Sequence, residues 1–141
     1  MPSFDEIFLN KKIASLRQYL GELELLATCD LKTYETDFVK RHAIEKLIEL
    51  IVEIAADVNR HIISVDGREP ASTYFSTFEE MGKLGIIPRS LVPKLASTTG
   101  LRNRLVHDYE KTDHKIVHQA LKPLLRNYKK YFVLINDYLN K

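Results

Sequence analysis

The residues best suited to chemistry lie close together in the stretch 101–109, which reads Leu-Arg-Asn-Arg-Leu-Val-His-Asp-Tyr. Arg102 and His107 are separated by four residues, Asn103 follows the arginine, and Tyr109 lies two residues after the histidine. A guanidinium is a permanently charged group whose planar fork matches phosphate oxygens. An imidazole can give or take a proton near neutral pH. This combination predicts a site for phosphate chemistry.

A simpler interpretation of the same residues is open at this point. Arg102 and Arg104 could be solvated charges at a helix end, with His107 as a capping residue that favours the negative end of the helix dipole. Motifs of two or three residues often arise by chance. The spacing alone therefore does not decide between chemistry and a solvated helix end.

The pattern Arg102-Asn103-x-x-x-His107-x-Tyr109 resembles the R-x4-H-x-Y signature of HepT-like proteins in the HEPN superfamily, and segments 41–45, 57–63 and 85–88 are also similar to that family. The resemblance implies an all-α, up-and-down bundle of five helices with a long central second helix. It also implies a metal-independent endoribonuclease toxin that needs no cofactor. In that case Arg102 and His107 are catalytic and Asn103 supports them.

The resemblance implies partners as well. HepT-like toxins are homodimers whose signatures face each other across a cleft, and their antitoxin is a small nucleotidyltransferase of the MNT type. That antitoxin transfers AMP from ATP to the signature tyrosine, which is Tyr109 here. RNA is the implied substrate. The alternative is a non-catalytic HEPN module that binds a nucleotide or docks the nucleotidyltransferase without cutting RNA.

The chemistry of RNA cleavage without a metal independently favours a dimer. Activating a ribose 2′-hydroxyl against its own phosphate requires a general base, a general acid and positive charge on the phosphorus. His107 is the candidate base or acid and Arg102 the candidate charge. One histidine cannot easily fill both proton roles in a single step, so we expect a second copy across a two-fold axis.

Length and composition predict one domain over residues 1–141, which is long enough to bury a single core. The one cysteine, Cys29, cannot form an internal disulfide. The most apolar region, 47–58, is interrupted by Glu49, Glu53 and Asp57, so it is far from the roughly 20 apolar residues of a membrane span. We therefore expect a soluble, cytoplasmic protein that does not contact a membrane.

Charge is unevenly distributed along the chain, although the formal net charge is only +2. Residues 1–100 sum to −3 and residues 101–141 to +5. The signature opens the basic part of the chain, as binding to phosphates would require. A lysine-rich last helix is more often a solvated face, so this signal is modest.

Apolar residues at three- and four-residue steps predict five helices. They cover about 5–27, 33–63, 73–84, a fourth that begins near 88 or slightly later, and 113–139. Ser72 is the predicted N-cap of the third helix. Pro123 is expected to kink or divide the last helix. The apolar stripe of the second helix is wide enough to face several neighbours, in the same chain and in a second one.

Two other groups of residues are candidate sites. His114 and His118 have the spacing of metal ligands on a helix, but no third ligand follows, so we predict no metal site. Acidic residues recur every four positions along the second helix, at 45, 49, 53 and 57, and a solvated edge is the favoured interpretation. Asp57 or Asn59 could instead face the signature.

Overall fold

The computed structural model describes residues 5–69 and 71–141, which form six α-helices and no strand. The helices are α1 (Glu6–Leu26), α2 (Leu31–Thr36), α3 (Phe38–Val65), α4 (Tyr74–Lys83), α5 (Val92–His107) and α6 (His114–Leu139). A 3-10 turn, Tyr109–Lys111, connects α5 to α6. The prediction of an all-α bundle is confirmed, with six helices instead of five. No helix in the described ranges has the length and apolar character needed to cross a membrane.

The long helix α3 lies at the centre of the bundle and packs against α1, α2, α4 and α5, while α6 packs on α1, α2 and α5. Ile48, Ile51, Val52 and Ala55 of α3 are fully buried. Neighbours within the same chain therefore cover most of the wide apolar stripe that the sequence shows. At the start of α3, Phe38 and Val39 stay exposed.

The predicted start of the second helix is wrong, because the helical conformation is interrupted at Asp37. This residue has an extended backbone, with φ −91° and ψ 90°, and its carboxylate accepts a hydrogen bond from the Lys40 backbone N–H at 3.0 Å. An aspartate in this position satisfies one of the free N–H groups at the start of a helix. The result is the short helix α2 followed by a newly capped α3.

Three other helix boundaries refine the predictions. Thr73, not Ser72, caps α4, because Thr73 and Ser76 exchange hydrogen bonds between side chain and backbone as a capping box. Helix α5 begins at Val92, the later of the two starts that the sequence allowed. Pro123 does not divide α6, which is continuous. Pro123 and Gln119, the residue whose carbonyl loses its N–H partner, are both exposed.

Helices α4 and α5 approach each other closely at Gly82. A Cβ atom built there would lie 2.6 Å from Cγ2 of Val92, at the start of α5. A glycine is therefore required at this contact unless Val92 moves. Helix α4 begins at Tyr74, which lines one side of the candidate site described next.

Candidate active site

Arg102 lies in the middle of α5, and its guanidinium is held on three sides. Nη2 donates to Oε1 of Glu53 on α3 at 2.8 Å, and Nη1 donates to Oδ1 of Asn103 at 3.2 Å. The guanidinium carbon also lies 4.9 Å from the centre of the Tyr74 ring, within cation–π distance. Only 16% of the side chain is exposed. These contacts orient the charge before any substrate binds.

A cleft of about 550 Å³ opens beside this arginine. Its wall includes Arg60, whose guanidinium carbon also lies 4.9 Å from the Tyr74 ring centre, and the exposed ring of Phe75. Two guanidiniums, two aromatic rings and the Asn103 amide thus line one depression. Guanidiniums bind phosphates and aromatic rings stack on bases, so the lining suits a nucleotide.

His107 is the last residue of α5 and is exposed. Asp108 leaves the helix with φ −130°. Within residues 5–69 and 71–141 no hydrogen bond to the His107 side chain is formed. A separation of five residues on a helix gives a rotation of roughly 140° and a rise of about 7.5 Å, so His107 and Arg102 leave α5 in different directions. The helix continues to His107 and does not bring the two side chains onto one face.

Tyr109 lies in the 3-10 turn, and its hydroxyl is held by a buried carboxylate of α3. Its Oη donates to Oε1 of Glu45 at 2.8 Å, while the Tyr34 hydroxyl donates to Oε2 of the same carboxylate at 2.6 Å. Glu45 is only 4% exposed. Burial and the hydrogen bond to Glu45 raise the pKa of Tyr109 above its ordinary value, and the neighbouring Arg41 guanidinium opposes that rise.

The acidic residues of α3 are not simply a solvated edge, so that prediction is wrong. Glu45 and Glu53 hold the two ends of the signature. Asp57 and Asn59 do not face it: Asp57 pairs with Lys12 at 3.0 Å, and Asn59 is buried against Thr77 and Tyr131. The four-residue period of acidic residues was the available sequence signal. It could not show which carboxylates contact the signature, because that depends on where α5 and the following turn pack against α3.

The two spaced histidines of α6 lie against Tyr34. Their ring centres are 5.7 Å (His114) and 5.8 Å (His118) from its ring centre, and His118 Nε2 hydrogen-bonds to the Cys29 carbonyl at 2.8 Å. In the described part of the chain no group of three or more metal-ligating side chains gathers. The rings of His114 and His118 therefore pack against the ring of Tyr34.

Sequence comparisons find a matching family and a relative that aligns along nearly the whole chain. The family model "Ribonuclease HepT-like" matches residues 16–135. A tRNA nuclease HepT from Aphanizomenon flos-aquae (strain 2012/KM1/D3) is 32% identical over 139 residues, which cover 99% of this chain and 95% of the relative.

Solved structures share the fold at lower identity. A tri-AMPylated Shewanella oneidensis HEPN toxin in complex with MNT antitoxin has a TM-score of 0.84 at 20% identity, with 92% of this chain and 97% of that chain covered. The cytosolic protein YutE from Bacillus subtilis has a TM-score of 0.85 at 15% identity, with 99% and 93% covered.

The helical bundle belongs to the same fold class as the solved HEPN toxin. Within that class, the chain belongs to the HepT-like ribonuclease family, because the family model spans most of it and the cyanobacterial nuclease aligns along nearly its whole length.

Proposed function

We propose that this protein is a metal-independent endoribonuclease toxin whose partner is an MNT-type nucleotidyltransferase antitoxin. The observation that most supports it is the state of Arg102, a guanidinium fixed by Glu53 and Tyr74 on the wall of a nucleotide-sized cleft. An exposed histidine lies five residues further along the same helix. The family and the solved toxin–antitoxin complex with the same fold agree with this proposal.

Each signature residue has a role in this reaction. The Arg102 guanidinium binds the scissile phosphate and stabilises the negative charge that builds on it as the ribose 2′-hydroxyl attacks. His107 gives or takes the proton. Asn103 accepts a hydrogen bond from Arg102 and so helps to orient it. The attacking group is part of the RNA, so the reaction requires no metal-bound water.

A homodimer would supply the second histidine that this chemistry requires. One histidine cannot easily act as both general base and general acid in a single step, so a histidine from each of two chains would serve one phosphate best. The exposed Phe38 and Val39 at the start of α3 offer apolar surface for such a contact. We expect light scattering to give the mass of a dimer at micromolar concentration, and a monomer there would count heavily against this arrangement.

Transfer of AMP to Tyr109 is the proposed mode of silencing. The Tyr109 side chain reaches the surface, where it is 39% exposed. An added AMP would place a phosphate and a base beside the signature, where they would compete with RNA for the guanidinium. Tyr109→Phe should remain toxic beside an active nucleotidyltransferase. Detoxification and AMP labelling of that variant would show that another residue is modified.

The central experiment measures cleavage by the purified protein on a defined RNA. The name of the cyanobacterial relative makes tRNA the first substrate to test. His107→Ala should lose on the order of 10²–10⁴ in cleavage rate, as is typical for one general acid or base, while RNA affinity changes little. Activity should survive EDTA, and the 5′ product should end in a 2′,3′-cyclic phosphate.

The competing function is a HEPN module that binds a nucleotide without cutting RNA, and the cleft beside Arg102 is the observation that favours it. The same experiment separates the two. Cleavage that is abolished by EDTA, or that is as fast in His107→Ala as in the wild type, removes the proposed mechanism. RNA or nucleotide binding with no cleavage by the wild type would support the binding module.

A further inference from the structure

The hydroxyl of Tyr109 is held by groups from α2 and α3 that lie outside the signature. Two phenols, Tyr34 and Tyr109, donate to the two oxygens of Glu45, and the guanidinium of Arg41 lies beside Tyr109. A buried carboxylate is costly unless hydrogen bonds and nearby charge compensate for lost water. Here one of the two compensating donors is the group that the proposed silencing reaction modifies.

We propose that Glu45 is the proton acceptor, and Arg41 a fixed positive charge, of the site at which Tyr109 receives AMP. This assignment rests on the proposed function, because it requires Tyr109 to be the acceptor of AMP. It adds two residues, both outside the signature, and gives each a chemical role.

The geometry suits proton transfer from the nucleophile. The Tyr109 Oη lies 2.8 Å from Glu45 Oε1 and donates its hydrogen to that oxygen. The lone pairs of Oη are then directed away from Glu45, and the side chain is on the accessible side of the cluster. An electrophile that reaches Oη would therefore meet those lone pairs while the proton already faces its acceptor. Such a distance is within the range required of a general base.

The reaction balances with ATP as the only co-reactant. A lone pair of Tyr109 Oη attacks the α-phosphorus of ATP, the bond from that phosphorus to the β-bridging oxygen breaks, and pyrophosphate leaves. The phenolic proton passes to Glu45 Oε1. Glu45 ends neutral and keeps its hydrogen bond with Tyr34, so the new phosphodiester does not face a second negative charge.

Arg41 is placed to favour the same step. Its Nη1 donates to the backbone carbonyls of Glu35 at 2.8 Å and Tyr34 at 3.3 Å, which fixes the guanidinium at the end of α2. Its Nε is buried and has no acceptor among the described residues. A fixed positive charge next to the nucleophile stabilises the charge that accumulates on the transferred phosphate.

Tyr109 requires a base because its surroundings favour the neutral phenol. Burial and Glu45 hold the pKa of Tyr109 above its ordinary value. The phenolate is therefore scarce near neutral pH, and the proton must be removed as the new bond forms. A purely structural clamp would not require Tyr109, because the fully buried Tyr34 already anchors Glu45 from inside the bundle.

The test measures AMP transfer from α-labelled ATP to the full chain by an MNT-type nucleotidyltransferase, with the modified residue located by mass spectrometry. Glu45→Gln keeps the shape and one of the two acceptor oxygens, replaces the other with an NH2 group, and removes the base. We expect its kcat for transfer to fall on the order of 10²–10⁴, with KM for ATP nearly unchanged. Glu45→Asp keeps a carboxylate and should recover part of that loss.

Tyr34→Phe is the matched control, because it removes the other hydrogen bond of the same carboxylate. A structural role predicts equal losses for Tyr34→Phe and Glu45→Gln. A proton acceptor predicts a far larger loss for Glu45→Gln, because Tyr34→Phe leaves the carboxylate in place. Equal losses, or a Glu45→Gln variant as fast as the wild type, would overturn the assignment. If Glu45→Gln does not fold, Glu45→Asp decides, and a rate within about twofold of wild type would reject the role, because proton transfer depends on the position of the carboxylate.

The same assay separates failure of this assignment from failure of the proposed silencing. Absence of label on wild-type Tyr109, or full labelling of Tyr109→Phe, would reject Tyr109 as the AMP acceptor and the assignment with it. Label on wild-type Tyr109 together with unimpaired Glu45→Gln would reject only Glu45.

Discussion

The two ends of the signature are held by two carboxylates of the same helix in opposite ways. Glu53 forms an ion pair with the charged Arg102, and its side chain is 31% exposed. Glu45 is buried and accepts hydrogen bonds from two neutral phenols. The step of eight residues from Glu45 to Glu53 covers a little over two turns and about 12 Å of α3, so the two carboxylates lie roughly 80° apart around the helix axis.

In the proposed function this difference lets one helix serve two kinds of chemistry. At Arg102 the carboxylate compensates a charge, and an RNA phosphate would have to compete with Glu53 for the guanidinium. At Tyr109 the carboxylate orients a neutral phenol, which is the nucleophile of the proposed silencing reaction. Loss of Glu53 should therefore affect how the Arg102 guanidinium binds and stabilises a phosphate. Loss of Glu45 should affect removal of the proton from Tyr109.

The largest effect in this comparison is expected at Arg102 itself. Arg102→Ala should lower cleavage on the order of 10²–10³, the usual cost of one charge-stabilising donor, and should also weaken RNA binding. Arg102→Lys keeps the charge but not the planar fork, so it should restore affinity better than rate. Rates and RNA dissociation constants measured side by side would check this. Normal cleavage by Arg102→Ala would remove Arg102 from the mechanism.

A smaller effect is expected when the ion pair alone is broken. Glu53→Gln should lower kcat for cleavage about tenfold, because the guanidinium loses an orienting partner. RNA affinity should not fall, because a competitor for the guanidinium is removed. Glu49→Gln, one turn away and paired with Lys46, is the matched control and should behave as wild type. A Glu53→Gln variant with weaker RNA binding and unchanged kcat would reverse the assigned role.

The smallest effect concerns the contribution of the buried Tyr34 phenol to stability in alkali. Burial, and then Glu45, raise the pKa of Tyr34 above its usual value near 10. Above pH 10 the unfolded chain loses the phenolic proton while the folded chain keeps it, so stability present below that pH is lost as pH rises. One such group contributes up to about 1.4 kcal/mol per pH unit.

Tyr34→Phe removes that contribution, so its free energy of unfolding should decline less steeply than that of the wild type between pH 10 and 11. Urea denaturation at several pH values would measure both slopes. Parallel slopes for the two proteins would show that Tyr34 titrates normally in the fold.

The signature residues could be proposed as a site from sequence because their types and spacing are local. Glu45 and Glu53 could not be assigned in this way, although the period of four that contains them was visible. Which carboxylate meets the signature depends on where α5 packs against α3, and that register is set by contacts distant in sequence. The same limit explains why Asp57 and Asn59 were misplaced as candidates.

The fold shows a similar division. Apolar periodicity was sufficient to predict the all-α bundle and the central position of α3. The break at Asp37 was missed because the apolar pattern runs across it, although an aspartate before an apolar run is itself a helix-start signal. The expectation that Pro123 could divide the last helix is wrong, and the sequence alone did not show that Pro123 lies on the exposed face of a continuous helix.

Gly82 gives the site a dependence on a residue with no chemistry of its own. The contact between Gly82 and Val92 sets the spacing of α4 from α5, and Tyr74, at the other end of α4, lies against the guanidinium of Arg102. A methyl group added at Gly82 would force Val92 or α4 to shift. A tilt of this ten-residue helix would also displace Tyr74 at its other end. The position of the ring that packs on Arg102 therefore depends in part on a helix–helix contact more than two helical turns away along α4.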